Sequence, residues 1–233
     1  MQGTKERGPA ADPDTIRVAI VDDHPVLRAG IRGILEDAGI QVVAEGATGR
    51  EALLLCEAQQ PDVLVLDYRL RGAKGTECLG PLLQRCPGTR VLIYTGLPGE
   101  GVLHAALSAG AHGFLRKSSD AAALVRAVRR VAAGENVILD PDGQRVRRSI
   151  EEGRGPLGLT PRERDVLGLV GRGMRNADIA RELYVSPDTV KTHLSSAMSK
   201  LGVRDRTGAA VLALSEGIID LTTSGEVGTV AEA

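Results

Sequence analysis

Five polar residues stand where apolar runs of this sequence stop: Asp22 and Asp23 after the run 16–21, Asp67 after 63–66, Thr95 at the end of 90–95, and Lys117 just past 112–115. Singly they carry little weight, since aspartate often starts a turn, threonine commonly caps a strand end and most lysines are on the surface. Gathered in one place they would be a chemical site. Three carboxylates within a few ångströms repel one another unless a divalent cation lies among them, and hard oxygen ligands of this kind suit Mg²⁺. The Lys117 ammonium and the Thr95 hydroxyl would then complement a phosphoryl oxygen, with Asp67 as the nucleophile that accepts the group. Phosphoryl transfer needs positioning and charge more than covalent machinery, so a small domain suffices.

The elements around these residues would bring them together. The β-branched run 16–21 reads as a buried strand, and Pro25 fits the first turn of a following helix whose Val26, Leu27, Ile31, Ile34 and Leu35 recur at helical spacing before Gly39. Strands at 41–44, 63–67, 90–95 and 112–115 then alternate with helices at 50–59, 76–85, 101–109 and 120–133. Five strands alternating with five helices predict an α/β doubly wound five-stranded parallel sheet, because parallel neighbours need crossover connections. In such a sheet all strands end on one edge, where ligands bind. That convergence raises Asp67 from a turn residue to a phosphoacceptor.

These residues resemble the receiver domain of two-component response regulators, a flavodoxin-like fold. The resemblance runs from about Arg17 to Glu135 and rests on Asp22-Asp23, Asp67, Thr95 in Ile-Tyr-Thr-Gly, and Lys117 in Gly-Phe-Leu-Arg-Lys. It implies that Asp23 and Asp67 hold Mg²⁺ directly, Asp22 through water and Arg69 by its backbone carbonyl. It also implies that Phe114 changes rotamer with the state of Thr95, and that a sensor histidine kinase is the phosphodonor. One departure is local: the loop after the acceptor usually reads Met-Pro, and here it reads Leu70-Arg71.

Residues 136–157 are rich in glycine, proline and mixed charge and read as a linker, with room for a short helix at 144–150. Beyond it, Thr160-Pro161-Arg162-Glu163 is a capping box with proline at the first helical position. A second helix is expected at 176–183, and Ser186-Pro187 starts a third. On a helical wheel Val190, Leu194, Ala197 and Leu201 form a narrow apolar stripe opposite Asp188, Thr192, Ser195 and Ser199, with Lys191, His193 and Lys200 at the margins. Two helices joined by a tight turn, the second capped, make a helix-turn-helix arrangement.

The wording of this part, from Leu159-Thr160-Pro161-Arg162-Glu163 to Lys200-Leu201-Gly202-Val203, resembles the LuxR-type output domain, and the whole chain resembles regulators of the NarL/FixJ type. The resemblance implies a small all-α domain on double-stranded DNA, with Lys191, Thr192 and Ser195 facing the groove and His193, Lys200 and Arg206 near phosphates. A helix from 204 to 214 would be the fourth, often a dimer contact in this family. The expected organisation is a disordered extension at 1–15, a receiver at 16–135, a linker at 136–157, a DNA-binding domain at 158–220 and a flexible tail at 221–233.

Composition sets outer bounds. The 233 residues are 42% hydrophobic and 25% charged with formal net charge -1, so a nucleic-acid surface must be local. From Leu159 to Arg206 nine basic residues stand against six acidic ones, a small excess from which a homodimer on paired half-sites is expected. Cys56, Cys78 and Cys86 lack metal-ligand spacing and read as free thiols of a reducing compartment; His24, His104 and His112 likewise read as surface or packing residues. No stretch approaches the roughly 18 apolar residues of a membrane span, so a cytoplasmic protein is expected, and the resemblance implies that it is a transcription regulator. A phosphohydrolase using Asp67 would want a general acid two residues on, where Arg69 stands. A regulator whose receiver serves only for dimerisation or ligand sensing is the other alternative, and the intact acidic pair, Thr95 and Lys117 weigh against it.

Overall fold

The computed structural model describes residues 15–219 apart from Gly72 and Pro98. The two terminal extensions expected from sequence lie outside the described residues, save for position 15. The chain divides into two compact units, one of residues up to 96 with 105–143, the other of 97–104 with 144 onward. Among the described residues no helix is long and apolar enough to cross a membrane.

In chain order the first part runs β1 (Arg17–Val21), α1 (Pro25–Asp37), β2 (Gln41–Gly46), α2 (Gly49–Gln59), β3 (Val63–Leu66), a small hairpin of β4 (Arg69–Leu70) and β5 (Ala73–Lys74), and α3 (Leu79–Arg85). It continues with β6 (Arg90–Thr95), α4 (Glu100–Ser108), β7 (Gly113–Arg116), α5 (Ala121–Ala132) and β8 (Val137–Leu139). The sheet order is β2-β1-β3-β6-β7-β8, with every neighbouring pair parallel. The chain moves from β1 to β2 on one side and to β3 on the other, so the topological switch falls between β1 and β3, where open α/β sheets carry their ligands.

The central strands are buried along nearly their whole length because helices cover both faces. Val18, Ile20, Val63, Val65, Leu92 and Tyr94 share one core with α1 and α5. The alternate residues, among them Ala19, Val21, Leu64 and Leu66, point the other way, where α2 and α3 pack. Local signals place the helices: Pro25 opens α1, Thr48 and Glu51 form a capping box on α2, and the Asp120 carboxylate accepts from Ala123 N at 2.6 Å to start α5.

Two details depart from the sequence reading. The helix expected from 76 begins as a 3₁₀ turn, Gly75–Cys78, and becomes α-helical only from Leu79. Pro81 has no N–H to offer the carbonyl four residues back, so the α-type ladder cannot extend upstream of it. The sheet also has six strands: Val137–Leu139, inside the stretch read as linker, pairs with β7 in the register Gly113↔Val137 to Leu115↔Leu139.

After α6 (Gly143–Glu151) come α7 (Pro161–Gly171), α8 (Asn176–Glu182), α9 (Pro187–Leu201) and α10 (Arg206–Ser215). Their core joins Val166 and Leu167 of α7, Ile179 of α8, Val190, Leu194 and Ala197 of α9, and Ala209 and Ala213 of α10.

The sixth strand yields a test. Val137 is 1% exposed and Leu139 37%. Val137→Ala is expected to cost about 2 kcal/mol and Leu139→Ala well under about 1 kcal/mol, read as shifts of the urea midpoint by circular dichroism; equal costs would contradict the strand.

Candidate functional site

The polar residues singled out at strand ends do converge. Val21 and Leu66 are partners in the β1–β3 register, so Asp22 and Asp67, each the next residue, emerge side by side. β6 and β7 extend the row, with Thr95 opposite Arg116 and Lys117 following. The Lys117 ammonium lies 2.6 Å from Asp22 Oδ2 and 2.6 Å from Asp67 Oδ2. Carboxylate oxygens of Asp22, Asp23 and Asp67 and a ring nitrogen of His24 all lie within 4.8 Å of one another. Thr95 is fully buried at the end of β6, and Phe114 is buried in β7 beside Ile93.

Burial and charge pull these groups in opposite directions. Burial pushes the Asp67 carboxyl above the usual aspartate range, and the Lys117 ammonium beside it recovers only part of that shift. Burial alone would lower Lys117, yet its hydrogen bonds to Asp22 and Asp67 keep its proton on more firmly than usual. Three carboxylates against one ammonium leave a formal charge of -2. His24 Nδ1 approaches Asp23 Oδ1 to 2.8 Å without hydrogen-bond geometry, so this buried oxygen has no hydrogen-bond partner. Three carboxylates with that residual charge and an unsatisfied buried acceptor fit a small hard divalent cation.

The loop after Asp67 is braced from below. Gly75 N donates to Tyr68 O at 2.7 Å, and a Cβ at Gly75 would stand 2.1 Å from the Asp67 carbonyl oxygen, so only glycine allows this approach. Arg69 N donates to Asp67 Oδ1 at 3.3 Å, and the Arg71 guanidinium comes within 3.9 Å of Asp23. His24, set aside from sequence, borders the cluster because the chain turns over Asp22: His24 N donates to Asp22 Oδ1 at 2.8 Å. His112 is a packing residue whose Nδ1 accepts from Val91 N at 3.0 Å; burial lowers its pKa and favours the neutral ring.

In the second unit α8 and α9 are joined by a four-residue turn, Leu183 to Ser186, in which Tyr184 has φ +53° and is 96% exposed. Ser186 caps α9 by accepting from Thr189 N at 3.0 Å, and Gly202, at φ +67°, ends it. The expected apolar stripe Val190, Leu194, Ala197 and Leu201 is buried, while Asp188, Lys191, Thr192, Ser195 and Ser199 are exposed.

Comparison with known proteins assigns both units. The model of the response regulator receiver domain matches residues 18–129, and that of the bacterial regulatory proteins of the luxR family matches 157–213. The probable transcriptional regulatory protein NarL of Mycobacterium tuberculosis is 36% identical over 211 residues, spanning 89% of this chain and 98% of the relative. The chain belongs to the LuxR-type response regulators. The nitrate/nitrite response regulator protein NarP of Escherichia coli is 37% identical over 89% of this chain and 98% of its own. Among solved structures, RcsB of Salmonella enterica serovar Typhimurium, bound to a promoter in the presence of a phosphomimetic, is 25% identical with TM-score 0.66, covering 87% of this chain and 99% of that one.

In this response regulator two of the cations expected near DNA phosphates, Lys200 and Arg206, are engaged inside their own domain. The Lys200 ammonium donates to Glu163 Oε1 at 2.9 Å and Oε2 at 2.7 Å. The Arg206 guanidinium donates to Met174 O at 2.7 Å and Asn176 Oδ1 at 3.4 Å. Glu163 is the capping-box glutamate of α7 and also accepts from Thr160 N at 2.7 Å and Ser196 Oγ at 2.6 Å, so one carboxylate ties the start of α7 to the second half of α9. Its neighbour Arg162 donates to Leu183 O at 2.8 Å, holding the end of α8. The capping box was visible in sequence; the reach of its glutamate to a helix more than thirty residues on was not.

Burial acts to raise Glu163, but Lys200, then Ser196 and Thr160, overcome it and bring its pKa to about 2. A lowered pKa stabilises the fold above the ordinary value near 4.5 and loses that contribution as pH falls toward 2. Glu163→Gln should therefore cost on the order of 2–3 kcal/mol above pH 5, and the gap from the natural protein should close between pH 4.5 and 2. Urea unfolding followed across that range checks it.

Proposed function

We propose that Asp67 accepts one phosphoryl group from a sensor histidine kinase, and that the phosphorylated chain regulates transcription as a homodimer on double-stranded DNA in the cytoplasm. The observation that carries this reading is the Lys117 ammonium within 2.6 Å of both Asp22 and Asp67 at the edge of the sheet. A carboxylate oxygen of Asp67 attacks phosphorus as the bond to the kinase imidazole nitrogen breaks, and that nitrogen leaves with its electron pair. Lys117 and the Thr95 hydroxyl receive the phosphoryl oxygens, and Phe114 follows Thr95 in a shift between two conformations. Asp22, Asp23, Asp67 and the Arg69 carbonyl would hold Mg²⁺, which neutralises the carboxylates and draws charge from the transferring group. The chain takes one phosphoryl group rather than turning over a substrate.

On DNA, Lys191, Thr192 and Ser195 are the groove-facing readers and His193 is a phosphate contact. Lys200 serves the same interface by bracing the helix that enters the groove against α7, while Arg206 ties the start of α10 to the start of α8. The promoter-bound RcsB structure supports this reading by analogy.

Asp67→Asn should abolish labelling by acetyl phosphate with Mg²⁺, read by intact mass; full labelling of this variant would remove Asp67 as the acceptor. At the operator, Lys191→Ala should weaken binding roughly tenfold at physiological salt, the scale of one lost base-edge contact. An unchanged affinity in a fluorescence-anisotropy titration would displace α9 from the groove.

A further inference from the structure

The exposed face of α9 holds residues that are nearly all polar, yet Thr192, midway along it, has its hydroxyl folded back onto the helix. Its hydroxyl donates to the Asp188 carbonyl oxygen, one turn back, at 3.0 Å. Threonine carries a hydroxyl and a methyl on the same β-carbon, so when the oxygen folds onto the helix the methyl stays at the outer surface. The single hydroxyl proton is spent inside the helix, so Thr192 has no donor left for a base edge, and its methyl is the apolar surface it presents. In the major groove the one apolar feature of a base edge is the 5-methyl of thymine.

We propose that Thr192 reads DNA through its methyl group, against the 5-methyl of a thymine in each operator half-site. This rests on the placement of α9 in the major groove argued above. Lys191, the neighbouring residue, is the long cation of the same face and supplies the charged contact, so Thr192 adds discrimination without adding salt dependence. The hydroxyl sets the rotamer, and the methyl makes the contact.

The test uses the full chain with acetyl phosphate and Mg²⁺ and an operator selected from a randomised duplex pool. Each thymine of the selected site is then replaced, one at a time, by deoxyuridine, which lacks only the 5-methyl. One position per half-site should weaken the natural protein roughly three- to tenfold, the scale of one buried methyl. For Thr192→Val that thymine-to-deoxyuridine ratio should persist, whereas for Thr192→Ser it should fall to about one. Loss of the ratio in Thr192→Val with retention in Thr192→Ser would overturn the proposal, as would a site in which no deoxyuridine matters. A pool that yields no preferred sequence would overturn the DNA-reading assignment itself, and the methyl contact with it.

Discussion

Three carboxylates held within 4.8 Å of a common set of ligand atoms are the constraint around which the receiver is built. Like charges at that distance, partly removed from water, repel one another strongly. They stay together because the backbone leaves them no choice: Asp22 and Asp67 continue two adjacent buried strands whose side chains pack against helices on both faces. The apolar body of the sheet thus stabilises a rim that would fly apart as isolated side chains. Lys117 relieves part of the repulsion, and the negative charge left over is what suits the site to a cation.

The DNA-binding unit contains a buried acid too, and the contrast explains both. Asp67 shares one ammonium with Asp22, receives a single long backbone hydrogen bond, and has its pKa pushed up. Glu163 takes both contacts of the Lys200 ammonium, a serine hydroxyl and a backbone N–H, and has its pKa pulled down. Burial opposes ionisation at each; the supply of donors decides. An acid with its donors complete is a structural strut, and an acid left short of them is prepared for a ligand.

Legibility in the sequence followed the same division. Strand ends, helix caps and the apolar stripe of α9 are local patterns, so the alternation of strands with helices and the row Asp22, Asp67, Thr95, Lys117 could be read without coordinates. What escaped was set by distant partners or short segments. Val137–Leu139 is only three residues long and has no period to detect, yet it pairs with β7. Lys200 looks like a marginal cation on a wheel, because nothing near it in sequence announces Glu163. His24 carries no metal-ligand spacing and reaches the acidic cluster through a turn over Asp22. Gly75 gives no sign in sequence that Asp67 O lies where its β-carbon would be.

The internal engagement of so many cations bears on how such a domain can bind DNA at all. Lys200 is paired with Glu163, Arg162 with Asp165 and the Leu183 carbonyl, Arg181 with Asp178, and Arg206 with Met174 and Asn176. Each phosphate contact adds only a modest, salt-dependent increment, and a domain that spends its arginines and lysines on its own fold has few increments to offer. Rigid placement of α9 against α7 is what the Lys200–Glu163 pair supplies instead, and rigidity favours discrimination between base edges over raw affinity. Under the dimeric reading proposed above, a single copy is a weak but selective reader, and two copies on paired half-sites would multiply both properties. For the regulator proposed here, an event that changes pairing changes occupancy steeply, and one phosphoryl group on a receiver, small as it is, acts where the affinity is most responsive.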